Sequence, residues 1–304
     1  MNLNDLKLFV CTADCGSISR AAEQLNMTPA AASAGLKRLE KLLEAELFIR
    51  STRRLRITAE GERFLVYCRE ALTSLDTGRA AMLALEGKIA GELRVSAPSD
   101  LGRNLLLGWI DEIMTLHPEL SIHLMLGDSI TDFYLNRVDL AIRYGSPKNS
   151  SLVAFKLTRI DRILCASPDY LATFGTPQKL ADLTKHNCLI FELNSRPDDL
   201  WEFIPEKSDT TTRKNEPIKV KVTGNRGAND ADVVRRWTVA GKGIAYHSRV
   251  DMSTEFRAGT LIRVLPQYRS PRIDLNLLIP GRKQITPAIL LLRDSLRQKL
   301  AQQL

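Results

Sequence analysis

The stretch that decides the fold is SRAAEQLNMTPAAASAGLKRLEKLL, residues 19–43. Its first part, 19–25, predicts a short helix that is separated from the next helix by the three residues NMT. Thr28 followed by Pro29 is typical of an N-cap residue and a first-turn proline. The second helix has an apolar stripe at helical spacing, which predicts its buried face: Ala32, Leu36, Leu39 and Leu43. Its opposite face is small or polar: Ala30, Ser33, Ala34 and Lys37.

A preceding helix completes this unit, because apolar residues recur at helical spacing from Leu6 to Ala13 and the pattern ends near Gly16. Helix, three-residue turn and helix is the geometry of a helix-turn-helix. Small residues on the outer face let the last helix enter a DNA major groove, where bulky ones would hold it off. A helical hairpin with no role in DNA binding shows the same pattern, so the helices alone leave that alternative open.

The next segment, LFIRSTRRLRIT at 47–58, predicts a strand, a turn and a second strand. Four of its residues between 50 and 56 are arginines. In isolation the segment is typical of a charged turn that is exposed to solvent. After a helix-turn-helix, however, a basic hairpin is a wing that reaches phosphates or the adjacent minor groove. The combination favours DNA binding over a plain helical hairpin.

Residues LKLFV (6–10) and the run GSISRAAEQLNMTPAAASAGLKRLEKLLEAELFIRSTRRLRITAEG (16–61) resemble the winged helix-turn-helix of the LysR-type transcriptional regulators. The resemblance extends over the layout of the whole chain. It implies a recognition helix at 29–39, with Thr28, Pro29, Ala30 and Ser33 nearest the bases. The family often has polar residues where Ala34 and Gly35 stand, so we expect sparser direct base readout. The residues predicted to contact DNA are Thr28, Pro29, Ala30, Ser33, Lys37, Arg38, Arg50, Arg53 and Arg54.

Composition sets the broad class but does not locate the DNA site. The chain has 304 residues and a net charge of +8, of which residues 1–61 carry only +2 and residues 235–304 carry +9. No apolar run reaches the length of a membrane span and the first residues lack a signal peptide, so we expect a cytoplasmic protein without membrane contact. The five scattered cysteines contain no C-x-x-C, and the four histidines match no metal-ligand spacing. We therefore predict reduced thiols, no metal and no cofactor.

From Thr58 onward the sequence predicts one long helix, and residues 58–88 form a connector. Apolar residues at 65, 68, 72, 75 and 82 keep a near-heptad seam that needs a partner surface. Packing on the protein's own core is one solution. The family resemblance implies the other, a linker helix that joins two subunits into a homodimer or homotetramer on a pseudo-palindromic operator. The residues predicted for dimerisation are Leu65, Leu72, Leu75 and Met82.

Residues 91–304 alternate between strand and helix patterns, which predicts an α/β fold with a mostly parallel sheet. A second unit of the same kind starts near 162. We therefore expect one lobe at about 91–161 plus 267–304 and another at about 162–266. By resemblance this is a periplasmic-binding-protein-like effector domain. The predicted fold is a multi-domain α/β protein: a winged helix-turn-helix at 1–61, a long linker helix at 58–88 and a two-lobed effector domain at 91–304.

The effector site is predicted at the carboxyl ends of strands, where open α/β sheets bind ligands. The candidates are Ser99, Asp100, Ser129, Ile130, Tyr144 and Asn225. For Ser99 and Ser129, a role as a helix cap explains the sequence as well as a role in effector binding does. Helix N-termini at this edge suit a carboxylate or phosphate, yet Asp100 would repel an anion. If Asp100 faces the cleft, the sequence favours a neutral or cationic ligand.

Two other classes of protein explain less of the chain. An enzyme is disfavoured because no catalytic motif nominates a nucleophile or an acid–base pair. A secreted solute-binding protein explains 91–304 but not the basic winged segment. A sequence-specific regulator explains every part, with double-stranded DNA and a small-molecule effector as partners and RNA polymerase as a further candidate. A regulator of the same architecture that responds to a redox or pH signal is the alternative.

Overall fold

A computed structural model describes residues 1–50, 55–128, 138–145, 147, 152–193, 196–206 and 216–303, without the side chain of Arg50. The chain divides into two compact units, Met1–Met82 and Leu83–Leu304. The predicted residues Arg53, Arg54, Ser129 and Ile130 lie outside the described ranges.

Three consecutive helices form the core of the first unit: α1 (Leu3–Cys15), α2 (Ile18–Gln24) and α3 (Pro29–Leu43). Their buried side chains include Phe9 from α1, Ala22 from α2 and Leu36 from α3, and each is fully inaccessible to solvent. Thr28 is the N-cap of α3 and accepts a hydrogen bond from the Ala31 amide at 3.2 Å, as the sequence predicts.

A short antiparallel hairpin follows, β1 (Phe48–Arg50) paired with β2 (Leu55–Ile57). Glu40 of α3 fixes its start, because one Glu40 carboxylate oxygen accepts hydrogen bonds from the Leu47 and Phe48 amides at 3.0 and 3.3 Å. The long helix α4 (Ala59–Leu85) comes next, and the Thr58 hydroxyl accepts the Gly61 amide at 2.9 Å. Strand, strand and long helix therefore lie where the sequence predicts them.

In the second unit, five described strands form one sheet: β3 (Gly91–Ala97), β4 (Leu120–Leu126), β5 (Leu140–Tyr144), β6 (Val153–Ile160) and the late strand β16 (Ile273–Ile279). Their order across the sheet is β4-β3-β5-β16-β6. Strands β4 and β5 run parallel to β3, whereas β16 pairs antiparallel with β5 and β6. The final helix α10 (Pro287–Gln303) packs into the same core, and we call this assembly the first lobe.

The helical stretch after β3 is not uniform. It consists of α5 (Ser99–Leu101), a π-helical segment (Gly102–Leu106) and α6 (Leu107–Leu116). Gly102 lies against the end of β4, where an added Cβ would come within 2.2 Å of a Leu126 methyl group. Asn104 also donates from Nδ2 to the Asp100 carbonyl at 2.8 Å. Close approach and a competing side-chain hydrogen bond accompany the wider turn.

The second lobe contains the remaining strands and helices. They are β7 (Arg162–Ala166), α7 (Pro168–Phe174), a 3₁₀ helix (Leu180–Lys185), β8 (Ile190–Leu193), β9 (Arg196–Pro197), β10 (Leu200–Pro205), β11 (Ile218–Lys221), β12 (Gly227–Ala228), α8 (Ala231–Val239), β13 (Ala245–Ser248), α9 (Ser253–Ala258), β14 (Ile262–Val264) and β15 (Tyr268–Arg269). The expectation of a second mostly parallel unit is wrong for the described strands. Strands β13 and β14 both flank β7 antiparallel, and β8 with β12 forms a parallel pair.

Candidate DNA-binding surface and effector cleft

The outer face of α3 is small and open to solvent. Thr28, Pro29, Ala30 and Lys37 are exposed, and Ser33 is half-buried. Their arrangement on one helix that ends at the base of the β1–β2 hairpin is the arrangement of a recognition helix and a wing. The structure thus brings together the residues that the sequence predicts for base contact.

Two residues of α3 have roles that the sequence analysis assigned differently. Gly35 is buried against α1 rather than facing outward, and a Cβ there would lie 2.8 Å from Leu8 and 3.0 Å from the Asp5 carboxylate. The glycine therefore allows helix packing and says nothing about base readout. Arg38 is exposed, but its guanidinium pairs with Asp5 at 2.8 Å, so one of its donors is already held by α1.

The predicted seam of α4 divides into an inward and an outward part. Leu65 and Cys68 pack on the core of their own unit. Leu65 is half-buried, and its part in dimerisation stays a prediction. Leu72 is half-buried. Leu75 and Met82 are 56% and 71% exposed, which leaves the second half of the seam open within the chain.

One carboxylate, Asp128 at the end of β4, joins the two lobes. Its Oδ1 accepts the Ser99 amide at 2.9 Å, and its Oδ2 accepts the Ser99 hydroxyl at 2.5 Å and the Ala231 amide at 3.1 Å. Ser99 and Ala231 are the first residues of α5 and α8. An acidic side chain of the protein therefore occupies the place where helix N-termini would attract an anion.

Ser99 is not the N-cap that the sequence suggested, since Pro98 holds that position. Ser99 instead accepts the Ala231 amide on its hydroxyl at 3.0 Å, which adds to the bridge between the lobes. Arg103 reinforces it with a 2.9 Å ion pair to Asp230, the N-cap residue of α8.

Asp100 faces inward and belongs to a group that we call the junction cluster: the buried Asp100, His247 and Asp251 with the half-buried Tyr144. His247 Nε2 lies 3.4 Å from Asp100 Oδ2, and the Tyr144 hydroxyl donates to Asp251 Oδ2 at 2.8 Å. Burial raises the pKa of the Asp100 carboxyl. It also raises the pKa of the Asp251 carboxyl, well above its usual range. Asp128 raises the pKa of Asp100 further, and His247 lowers it.

Asn225 does not join this group. Among the described residues its hydrogen bonds run within the second lobe: its amide donates to Asn187 Oδ1 at 2.9 Å, and its Oδ1 accepts from Asn187 and Arg226. Of the predicted effector residues, the structure thus brings Ser99, Asp100 and Tyr144 to the lobe junction.

Residues 3–62 match the family of bacterial regulatory helix-turn-helix proteins of the LysR type, and residues 86–301 match the LysR substrate-binding domain. The second match alone spans more than half of the chain. The protein belongs to the LysR family of transcriptional regulators.

This LysR-type regulator is similar to curated relatives over most of its length. It is 32% identical to the transcriptional regulator DmlR of Escherichia coli K12 over 88% of this chain and 85% of DmlR. It is 31% identical to the transcriptional activator AaeR of the same strain, over 88% and 84% of the two chains. These relatives are regulators and not enzymes.

Solved structures support the same two-domain architecture. The full-length virulence activator AphB of Vibrio cholerae has a TM-score of 0.58 at 26% identity, over 97% of this chain and 98% of AphB. CrgA of Neisseria meningitidis has a TM-score of 0.60 at 27% identity, over 100% and 99%. A helix-turn-helix, a long helix and a two-lobed α/β domain are therefore the architecture of this regulator.

Three of the five cysteines of this regulator are buried and poorly suited to redox chemistry. Burial raises the pKa of Cys68 to about 11 and the pKa of Cys165 and Cys188 to about 12, so thiolate is scarce at neutral pH. Cys11 and Cys15 are partly exposed, and both thiols donate to Gln24 Oε1 at 3.2 and 3.3 Å. No helix in the described part of the chain is long and apolar enough to cross a bilayer.

The sequence analysis missed Asp128, His247 and Asp251. Asp128 directly precedes Ser129 and Ile130, the residues that the strand-end rule predicts. His247 and Asp251 are far in sequence from Asp100, so no spacing pattern could join them. Only the placement of β13 beside α5 does so.

Proposed function

We propose that this regulator binds a pseudo-palindromic operator as a homodimer or homotetramer, in the cytoplasm, with the outer face of α3 in the major groove. The observation that carries the proposal is the small, exposed face formed by Thr28, Ala30 and Lys37, with the wing anchored to the same helix by Glu40. Small side chains allow the close approach that base readout requires. RNA polymerase is the further partner of the DNA-bound regulator. The proposed function includes no catalytic activity.

Salt-titrated gel shifts with operator and random duplexes test this assignment. Lys37→Ala, Arg53→Ala and Arg54→Ala should weaken binding to both duplexes and reduce the log–log salt slope by about 0.9 for each phosphate that the variant no longer neutralises. Lys7→Ala removes the same charge from an exposed position on α1 and should leave the slope unchanged. Equal slopes for all four variants would move the DNA-binding surface elsewhere on the protein.

Base readout is tested separately at Ser33. Replacing Ser33 with Phe should reduce operator binding far more than binding to random DNA, because a bulky side chain holds α3 out of the groove. An equal reduction on both duplexes would argue against groove insertion.

We also propose that a small-molecule effector acts at the lobe junction, near Ser99, Asp100 and Tyr144, and that it is neutral or cationic. The buried carboxyl of Asp100 and the half-buried carboxylate of Asp128 already lie there, and Asp128 holds the amides that an anion would need. An effector can shift the equilibrium between open and closed lobes only to the extent that it binds one of these two states more tightly than the other.

Calorimetric screening of metabolites against wild type and Ser99→Ala, followed by operator footprinting, tests the effector site. Ser99→Ala removes a hydroxyl that bridges the lobes, so a ligand of this site should bind the variant with altered affinity. A ligand that binds both proteins equally and leaves the footprint unchanged would remove Ser99 from the mechanism.

A further inference from the structure

Asp100 and Asp251 of the junction cluster are buried carboxyls that hydrogen-bond each other. A carboxylate only accepts hydrogen bonds, whereas a protonated carboxyl also donates one. The contact between the two side chains is therefore a hydrogen bond only while the pair holds a proton. Asp251 Oδ1 fits this requirement, because it is buried and no N–H or hydroxyl group in the described part of the chain donates to it.

The groups that face the pair supply no full positive charge that would let both carboxyls ionise. They are Tyr144 from β5, Asp128 from the end of β4 and His247 from β13. Burial raises the pKa of Tyr144, so its hydroxyl keeps its proton and donates to Asp251 Oδ2 at 2.8 Å, while Asp128 adds a negative charge. Among the described residues, the ion-pair contact of Asp100 is with His247, and Asp251 has none with Lys or Arg.

The bonds of His247 fit a neutral imidazole. Its Nε2 bonds the Ala231 carbonyl at 3.2 Å, and because a carbonyl only accepts, the ring proton is on Nε2. Its Nδ1 accepts the Ser248 amide at 3.0 Å. A second ring proton would have to sit on Nδ1 and face that amide hydrogen. The proton between the two carboxyls is therefore the one that neutralises the cluster.

We propose that Asp100 and Asp251 share one proton at neutral pH and that this proton fastens the two lobes to each other. Asp100 comes from α5 in the first lobe. Asp251 lies in the turn after β13 of the second lobe, where Val250 packs into the core of the first lobe and Met252 into a core of the second. When the lobes separate, water solvates both carboxyls and the proton leaves to solvent. A rise in pH therefore favours separated lobes, in addition to any effector.

Proton binding also fixes how stability depends on pH. In the unfolded chain both carboxyls are exposed and have the ordinary pKa of 3.8, whereas burial raises the pKa of both in the folded protein. Above pH 3.8 the folded state thus holds one proton more than the unfolded state. The stability that comes from this pair is complete in acid and is lost as the pH rises.

Asp251→Asn and Asp100→Asn test the shared proton, because an amide is a permanent donor that leaves the remaining carboxyl ionised. Relative to either variant, the unfolding equilibrium constant of wild type should rise about tenfold per pH unit between about pH 5 and 7. Urea unfolding of the full-length chain, followed by tryptophan fluorescence, measures this ratio. Asp111→Asn removes an exposed carboxyl from α6 of the first lobe and should keep the wild-type profile.

Infrared spectroscopy detects the proton directly. At neutral pH, wild type and Asp111→Asn should show the C=O stretch of a protonated carboxylic acid, and the two junction variants should lack it. A loss of packing without a shared proton would not remove this band.

Hydrogen exchange tests the link to the lobes. The exchange rate of peptides that contain α5, in wild type relative to Asp251→Asn, should rise between about pH 6 and 8. The proposal is overturned by parallel unfolding profiles of wild type and both junction variants, by a missing carboxylic-acid band in wild type, or by a constant exchange ratio. These measurements use neither DNA nor an effector, so failure of operator or effector binding would count only against the proposed function.

Discussion

Gly61 and Gly78 lie on the same helix, α4, in opposite surroundings. An added Cβ at Gly61 would lie 2.4 Å from the Leu47 carbonyl oxygen and 2.7 Å from Ile57, whereas at Gly78 nothing lies within 4 Å. The helix and the wing touch backbone to backbone at Gly61, and such a contact cannot be relieved by rotating a side chain.

We expect Gly61→Ala to destabilise the unit formed by residues 1–82 by about 1–3 kcal/mol, as overpacking does. Gly78→Ala should stabilise α4 by about 0.5–1 kcal/mol, because alanine loses less backbone entropy in a helix. Hydrogen exchange of peptides from residues 1–82 measures both. Equal protection of the two variants would contradict the contact between helix and wing.

At single residues, the sequence predicts local chemistry well and packing poorly. The N-cap role of Thr28 follows from its neighbour Pro29 and is confirmed by the hydrogen bond to the Ala31 amide. The packing of Gly35 on α1 and the pairing of Arg38 with Asp5 depend on a helix some thirty residues away. Such contacts have no local signal.

Among the elements, helices and strands with a clear period were predictable, and the two exceptions have physical reasons. The π-helical segment at Gly102–Leu106 arises where the helix meets Leu126 of β4, a tertiary contact. The antiparallel pairing of β7 depends on which later strands lie beside it, here β13 and β14. The alternation of strands and helices along the chain does not determine these partners.

The outward half of the α4 seam is the element on which assembly is expected to depend. Leu75→Asp places a charge at an apolar position that is exposed within one chain, so the protomer should fold normally. If two copies pair through this face, the buried charge should shift sedimentation towards smaller species and weaken operator binding. Ser74→Asp adds the same charge at the neighbouring exposed residue and should leave the assembly intact. Unchanged mass for Leu75→Asp would remove α4 from the subunit interface.

On the scale of the whole regulatory unit, the chain crosses between the lobes at Asp161 and again near Ser270, and the two crossings are paired. The Arg162 amide donates to the Ser270 hydroxyl at 2.7 Å, and the Ser270 amide donates to the Arg162 carbonyl at 2.8 Å. Beside them Arg249 bonds Asp161 at 2.9 Å and Glu206 at 2.8 Å, and Arg263 bonds Glu206 at 2.7 Å. Glu206 thus bonds two arginines next to the crossing, and a third, Arg269, lies 3.7 Å from the same carboxylate.

This network predicts a pH dependence. Burial alone would raise the pKa of Glu206, but hydrogen bonds from Arg263 and Arg249 outweigh it and hold that pKa below its ordinary value of 4.5. A carboxyl whose pKa is lower in the folded state contributes stability that is present above pH 4.5 and is lost as the pH falls through the folded value. The unfolding free energy of the regulatory unit should therefore decline on the acid side.

Glu206→Gln isolates this contribution. At pH 7 the variant should be less stable by about 1–3 kcal/mol, because Arg263 loses its charged partner and Arg249 keeps only Asp161. It should converge with wild type in acid. Urea unfolding followed by tryptophan fluorescence reports on this unit alone, since Trp109, Trp201 and Trp237 all lie within residues 83–304. Glu202→Gln on β10, the strand that ends just before Glu206, removes an exposed pair with Lys219 and should keep the pH profile of wild type. A Glu206→Gln profile parallel to wild type at every pH would show that the arginines do not depend on the charge of Glu206.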